Sequence, residues 1–299
     1  MDIHSLQKFA LPGQLEIVSG QGGLPFIRIS NIAGKAEICL LGAHVTSYVP
    51  AGQKDLLWMS RNVEYAEGKS LRGGIPICWP WFGAPPSGAE TSHGYARFIL
   101  WELSSTRVIA PDCTEVVFSL HPSPSAPKAW QESFALTFTV RVGASLELEL
   151  CTRNCGSTAF QISQAFHTYY QISDITKIQI NGFSGLPFHD TVAGSTEPHK
   201  TQQGPITFAA ETDAVFEHCS GIAEILDPGF GRIFRISKKN SSSAVVWNPW
   251  INKAKKLNMA EDEYRTMVCV ENCNIRSDMQ SILPGQSFTL KAKIEALPL

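Results

Sequence analysis

Hydrophobic side chains that alternate with polar ones along residues 136–150 restrict this chain more than any other feature of its sequence. In LTFTVRV, Leu136, Phe138 and Val140 share one face. After the intervening GAS, the run LELEL sets Leu146, Leu148 and Leu150 on one side and Glu147 and Glu149 on the other. A repeat of two fits a pleated strand with one wet face and does not fit a helix, whose faces recur about every 3.6 residues. The short break between the two runs marks a hairpin. VVFSL from Val116, VVW from Val245, MVCV from Met267 and FTLKAKI from Phe288 behave similarly, separated by clusters of Gly, Pro, Asn or Ser. The expectation is an all-β chain, a large antiparallel β-sandwich with few short helices, rather than alternating βα units.

Proline punctuates the loops at Pro76, Pro80, Pro85 and Pro86, and again at Pro122, Pro124 and Pro127. These are turn signals within one structure, because no repeat, charge block or low-complexity tract divides the 299 residues. With 43% hydrophobic residues and 17% charged ones the chain can bury a large core, and residues 1–299 are expected to fold as a single domain.

A net charge near −2, with both signs interspersed, offers no field for a nucleic-acid backbone or an anionic membrane surface. Any anion site must therefore be local. No apolar run approaches the roughly 20 residues of a membrane span. The early Asp2 and the absence of an apolar core flanked by basic residues predict no signal peptide, hence a cytoplasmic protein. The eight cysteines then read as reduced thiols. Cys151 and Cys155, like Cys269 and Cys273, are spaced too widely for a zinc knuckle and read as small buried hydrophobes. No metal is expected.

Three stretches are unlike ordinary sandwich strands. In LRGGIPICWPWFG, Arg72 precedes adjacent glycines that permit a sharp turn or close approach, and Trp79, Trp81 and Phe82 offer a flat wall. In SHGYARF, His93 and Arg97 flank a glycine and a tyrosine; Arg72 and Arg97 together present planar forks suited to phosphate or carboxylate, or each lies over the surface and binds carbonyls. The third is a pair of distant fragments, FHTYY around His167 and VCVENC around Glu271. A histidine among aromatics is commonly a hydrogen-bonded core residue, and a carboxylate ending an apolar run is commonly salt-bridged; both alternatives stay open on the residues alone.

Read together, RGGIPICWPWFG, HGYAR, FHTYY, ETDAVF, VVWNPW and MVCVE resemble, in order and approximate spacing, the aldose 1-epimerase family and within it the hexose-6-phosphate mutarotases. The resemblance runs from about Gly42 to Gly285 and implies a galactose mutarotase-like supersandwich. It implies His167 and Glu271 as the catalytic residues, Arg72 and Arg97 as phosphate and sugar contacts, and His93 and Asp213 as further substrate contacts. Relatives often carry Gln before the HG pair. Here Ser92 takes that place, with a shorter reach that removes a direct sugar contact or passes it through water. The WNPW element, Trp247 to Trp250, is expected to pack rather than to touch substrate.

The implied reaction interconverts the α and β anomers of glucose 6-phosphate and other hexose 6-phosphates. Protonated His167 would serve the ring oxygen as acid and ionised Glu271 the anomeric hydroxyl as base, near their ordinary ionisation values, with no cofactor. The partner is then a small hexose phosphate, and the chain is expected to act as a monomer. Two other readings share the residues: a mutarotase for unphosphorylated aldoses, and a carbohydrate-binding sandwich without turnover.

Overall fold

The alternating runs form the strands Phe134–Val142 and Leu146–Asn154, paired antiparallel with Phe138 opposite Leu150 and Val142 opposite Leu146. The inward residues Leu136, Phe138, Val140, Leu146, Leu148 and Leu150 are fully buried. On the wet face Arg141 binds Glu115 and Glu149, each at 2.7 Å, and Lys291 reaches Glu149 at 3.0 Å. The computed structural model describes residues 3–123 and 126–299, so Asp2 and Pro124 of the sequence analysis lie outside the described residues.

This hairpin belongs to an eight-stranded sheet in the order Gln179–Asn181, Ala223–Asp227, Arg232–Lys239, Ser287–Pro298, Leu146–Asn154, Phe134–Val142, Cys113–Leu120, Glu102–Ala110. A second eight-stranded sheet runs His199–Thr201, Pro187–Asp190, Thr212–Phe216, Ser243–Asn248, Met267–Asn274, Gln164–Phe166, Ile77–Cys78, with Tyr169–Gln171 also paired to Met267–Asn274. The two sheets meet through aromatic contacts: Phe138 packs on Phe166 with ring centroids 5.8 Å apart, and Phe234 on Tyr170 at 5.3 Å. Each such ring contributes about 1.5–3 kcal/mol by leaving water. This is the antiparallel sandwich that the alternation predicts.

A further sheet of four strands, Leu15–Ser19, Pro25–Asn31, Gly34–Cys39 and His44–Pro50, was not singled out in the sequence. Among the described residues the α-helices are the short Ile3–Leu6 and Trp250–Lys256, and none is long and apolar enough to cross a membrane. All eight cysteines are free. Cys269 and Cys273 are buried as expected, but Cys155 is exposed, because it follows the end of its strand where the chain turns into solvent.

Met267–Asn274 lies inside the second sheet and is buried along its whole length. Because successive side chains leave a strand on opposite faces, the orientation of Phe166 and Tyr170 into the sandwich core sends His167 and Tyr169 to the other face. That outer face of the second sheet forms the floor of the site.

Candidate active site

The register of the second sheet brings together residues that are far apart in the chain. Phe166 pairs with Asn272 and Tyr169 with Cys269, so the register is unchanged across the break at His167 and Thr168, and His167 falls opposite Glu271. On the far side of Glu271 comes Val245, then Val215; the adjacent row runs Tyr169, Cys269, Trp247, Asp213. Neighbours across a ladder share a face. These rows support a cleft of about 760 Å³ whose lining includes Arg72, Ser92, His93, Arg97, His167, Asp213 and Glu271, so the structure gathers every site residue expected from the sequence.

Nε2 of His167 stands 3.4 Å from Oε1 of Glu271. Among the described residues, His167 Nδ1 and Glu271 Oε2 have no hydrogen-bond partner although both atoms are buried. The imidazole stacks on Tyr169, centroids 4.8 Å apart and planes 11° from parallel, and meets the edge of Trp247 at 5.9 Å. Aromatic contact on two sides fixes the ring plane while leaving its nitrogens for proton transfer.

Loops complete the cleft. After Arg72 the chain passes between the segment around Trp58 and the strand His44–Pro50: Gly74 donates to Trp58 O at 2.7 Å, and Ile75 donates to Val45 O at 2.9 Å. A Cβ on Gly74, at φ +56°, would come 2.3 Å from Val45 O, so only glycine fits. Gly94, at φ +76°, is tighter, with Trp79 O at 1.9 Å from a built Cβ. Beside it His93 clasps Gly83 twice: its own N–H donates to Gly83 O at 2.8 Å, and its Nδ1 accepts the Gly83 N–H at 3.3 Å. Neutral His93 therefore carries its proton on Nε2. Arg97 donates through Nη2 to Ser92 O at 2.7 Å, while its buried Nε has no partner among the described residues. Ser92 thus contributes its carbonyl to hold Arg97, and its exposed side chain stands at the rim.

Burial opposes charge throughout this site. His167 is pushed well below the usual imidazole range by burial, then by His93 and by the cationic Arg97 and Arg72. Burial carries Glu271 well above the usual carboxylate range, and the nearby Asp213 adds to it while Arg97 opposes. His93 falls to about 4, through burial and then Arg97. Asp213 is raised by burial, with Lys253 acting in the opposite sense. The two central groups therefore do not stand near their ordinary ionisation values, contrary to the sequence expectation. Both shifts favour the neutral forms, so a carboxyl group faces an imidazole with neither charge favoured.

Other expectations need correcting. Trp79 and Trp81 do not wall the cleft: both are buried, their indole N–H groups donating to Thr152 Oγ1 and Thr91 O at 3.0 Å, and the flat surfaces come from Phe82, Tyr169 and Trp247. The WNPW element divides its roles. Trp247 lines the cleft, whereas Asn248 is fully buried, its Nδ2 donating to Tyr264 O and Met267 O and its Oδ1 accepting Trp250 N–H at 2.9 Å. Sequence reasoning missed Tyr169, Ser163, Lys253 and Arg276, which also line the cleft. Tyr169 could have been found from its spacing of two from His167, which puts both on one face; Lys253 lies in a helix with no such signal.

The family model for aldose 1-epimerase matches residues 25–295. The chain belongs to the aldose 1-epimerase family. This epimerase is 34% identical over 249 residues to an Escherichia coli (strain K12) protein named "Putative glucose-6-phosphate 1-epimerase", covering 83% of this chain and 82% of the relative. A Cenchrus ciliaris relative of the same name is 31% identical over 273 residues, covering 88% of this chain and 82% of its own. Among solved structures, a Salmonella typhimurium protein described as a "putative mutarotase" superposes with a TM-score of 0.89 at 29% identity, over 97% of this chain and 95% of that one. A galactose mutarotase-like protein from Lactobacillus casei shares the fold at a TM-score of 0.71 and 14% identity, over 91% of this chain and 100% of that one. The epimerase is thus an isomerase of sugar anomers on a mutarotase-type sandwich.

Proposed function

We propose that this epimerase interconverts the α and β anomers of D-glucose 6-phosphate and related hexose 6-phosphates, with His167 and Glu271 as the proton-transfer pair. The observation that carries the reading is their 3.4 Å approach in a cleft that also holds two arginines. Opening a pyranose hemiacetal needs one proton delivered to the ring oxygen and one taken from the anomeric hydroxyl. A pair that shares one proton can do both at once. That proton on Glu271 or on His167 makes two tautomers of equal proton count, so a change of pH does not interconvert them.

The phosphate supplies the bias. Arg72 and Arg97 both disfavour a charged His167. A phosphate dianion held by their guanidinium forks offsets that positive charge and favours the tautomer with protonated His167 as acid and Glu271 carboxylate as base. Once the ring is open, rotation about the bond to the neighbouring carbon and reclosure on the other face return both protons. His93 Nε2–H, Asp213 and the rim at Ser92 are the remaining sugar contacts in this reading. It places the enzyme in the cytoplasm, where charged phosphosugars are retained by the membrane's apolar core, acting as a monomer with residues 1–299 as one unit.

Magnetisation-exchange NMR on glucose 6-phosphate and glucose tests the proposal. Faster α to β exchange of the phosphosugar with wild-type protein, abolished in Glu271→Gln, is expected. Equal acceleration of glucose would favour the free-aldose reading, and binding with no exchange would leave only a carbohydrate-binding role.

A further inference from the structure

At the edge of the cleft, the short helix Trp250–Lys256 carries Lys253 over the strand Thr212–Phe216. Its Nζ lies 3.0 Å from Glu211 Oε1 and 3.6 Å from Asp213 Oδ2. The helix takes this position because of what precedes it. Buried Asn248 ties the chain to Tyr264 O and Met267 O and accepts Trp250 N–H, and Trp250 turns at φ 53° while its ring packs on Tyr264 with centroids 5.2 Å apart. Asn248 also closes the strand on which Trp247 neighbours Asp213. Asn248 thus ties the start of the helix carrying the ammonium to the end of the strand bordering the carboxylate.

We propose that Lys253 is a positioning residue for substrate recognition: its ammonium, shared between Glu211 and Asp213, holds the Asp213 carboxylate in the cleft as an acceptor for sugar hydroxyls. This rests on the reading of the cleft as a sugar site given above. The charges facing Asp213 are Glu211 on its own segment, Lys253 on the helix and Glu271 two strands away. Glu211, and Glu271 whenever it is ionised, discourage ionisation of Asp213. Lys253 opposes them, and without it a half-buried Asp213 takes up a proton at higher pH and becomes a weaker acceptor that also donates. The cost should fall on binding, since Lys253 pairs with Asp213 and not with His167 or Glu271.

The test compares Lys253→Met, Lys253→Arg, Asp213→Asn and the double variant Lys253→Met with Asp213→Asn. Glucose 6-phosphate exchange is followed from pH 6 to 9, beside ¹³C NMR titration of the Asp213 carboxyl carbon in the free protein. Lys253→Met is expected to raise KM roughly tenfold near neutrality, the lower end of what a lost charge-assisted hydrogen bond costs, with kcat within about twofold. The defect shrinks as pH rises, the Asp213 signal titrates at higher pH, and Lys253→Arg restores most of the loss. In the Asp213→Asn background, Lys253→Met adds nothing further. An unmoved Asp213 titration, a pH-independent defect, or a full additional loss in the double variant would overturn the proposal. The carboxyl titration needs no turnover, so failure of wild-type protein to exchange glucose 6-phosphate would count against the proposed function and leave the Lys253 result readable.

Discussion

His167 stands opposite Glu271 in the one break of an otherwise continuous ladder, where Gln164–Phe166 and Tyr169–Gln171 both pair with Met267–Asn274. The interruption frees the backbone of His167, whose N–H donates to Pro76 O at 3.0 Å on the other side. Sheet register, rather than a loop, therefore sets the 3.4 Å between the two side chains.

Glu271→Gln keeps the size of the side chain and removes the carboxyl group proposed to exchange protons. Anomer exchange of glucose 6-phosphate should fall by about 10²–10⁴ while affinity, measured by calorimetry, changes little. His167→Ala should fall comparably. Retained exchange in either variant would remove that residue from the reaction.

Arg72→Ala and Arg97→Ala should act on phosphosugars selectively. Each deletes a charge-assisted contact, so kcat/KM for glucose 6-phosphate should drop by roughly 10- to 100-fold, with residual activity on glucose unchanged within a few-fold. Parallel losses on both sugars would assign the arginines a structural role. Arg97 should show the larger effect on kcat, because it bears on both members of the pair.

The pH profile of kcat/KM follows from the shifted pair. Protonation of His167 as well as Glu271 stops the shared-proton reaction on the acid side, and His167 is held well below its usual range. Loss of the last proton, from the pair's raised Glu271, stops it on the alkaline side. The alkaline limb should therefore lie well above the ordinary carboxylate range. A decline centred within that range would show that Glu271 ionises as an ordinary carboxylate. The alkaline limb is the cleaner one to read, since the phosphate itself titrates near pH 6 on the acid side.

Gly94→Ala would press a methyl group into Trp79 O at φ +76°. A loss of about 1–3 kcal/mol from backbone strain, read as a Tm lower by roughly 2–5 °C, should accompany a raised KM, since His93 and Arg97 sit on the same turn. An unchanged Tm would mean that the turn relaxes freely.

How much of this was legible depended on which faces of each strand are wet. Leu146–Asn154 sits in a sheet whose other face carries Glu147, Glu149 and Arg141, so its alternation was plain. Met267–Asn274 is buried on both faces, so the sequence displays only an apolar run, and Glu271 looked like its end rather than its middle. The partnership of His167 with Glu271 came from resemblance, because no periodicity links residues so distant in the chain. Trp79 was misread because an aromatic in a proline-rich loop has no sequence mark distinguishing a cleft wall from a core plug whose N–H meets Thr152. The shifted ionisation of His167 and Glu271 was likewise illegible, since it comes from burial and from charges brought in by other strands.

The placement of Glu271 on an interior strand and of Arg97, His93 and Lys253 on surrounding turns and a short helix separates two properties of the enzyme. In the proposed mechanism, proton exchange rests on a strand buried along its whole length inside the sheet, while choice of sugar falls to peripheral segments. Redesign of those segments can therefore retarget this scaffold to a different aldose without rebuilding its reactive centre.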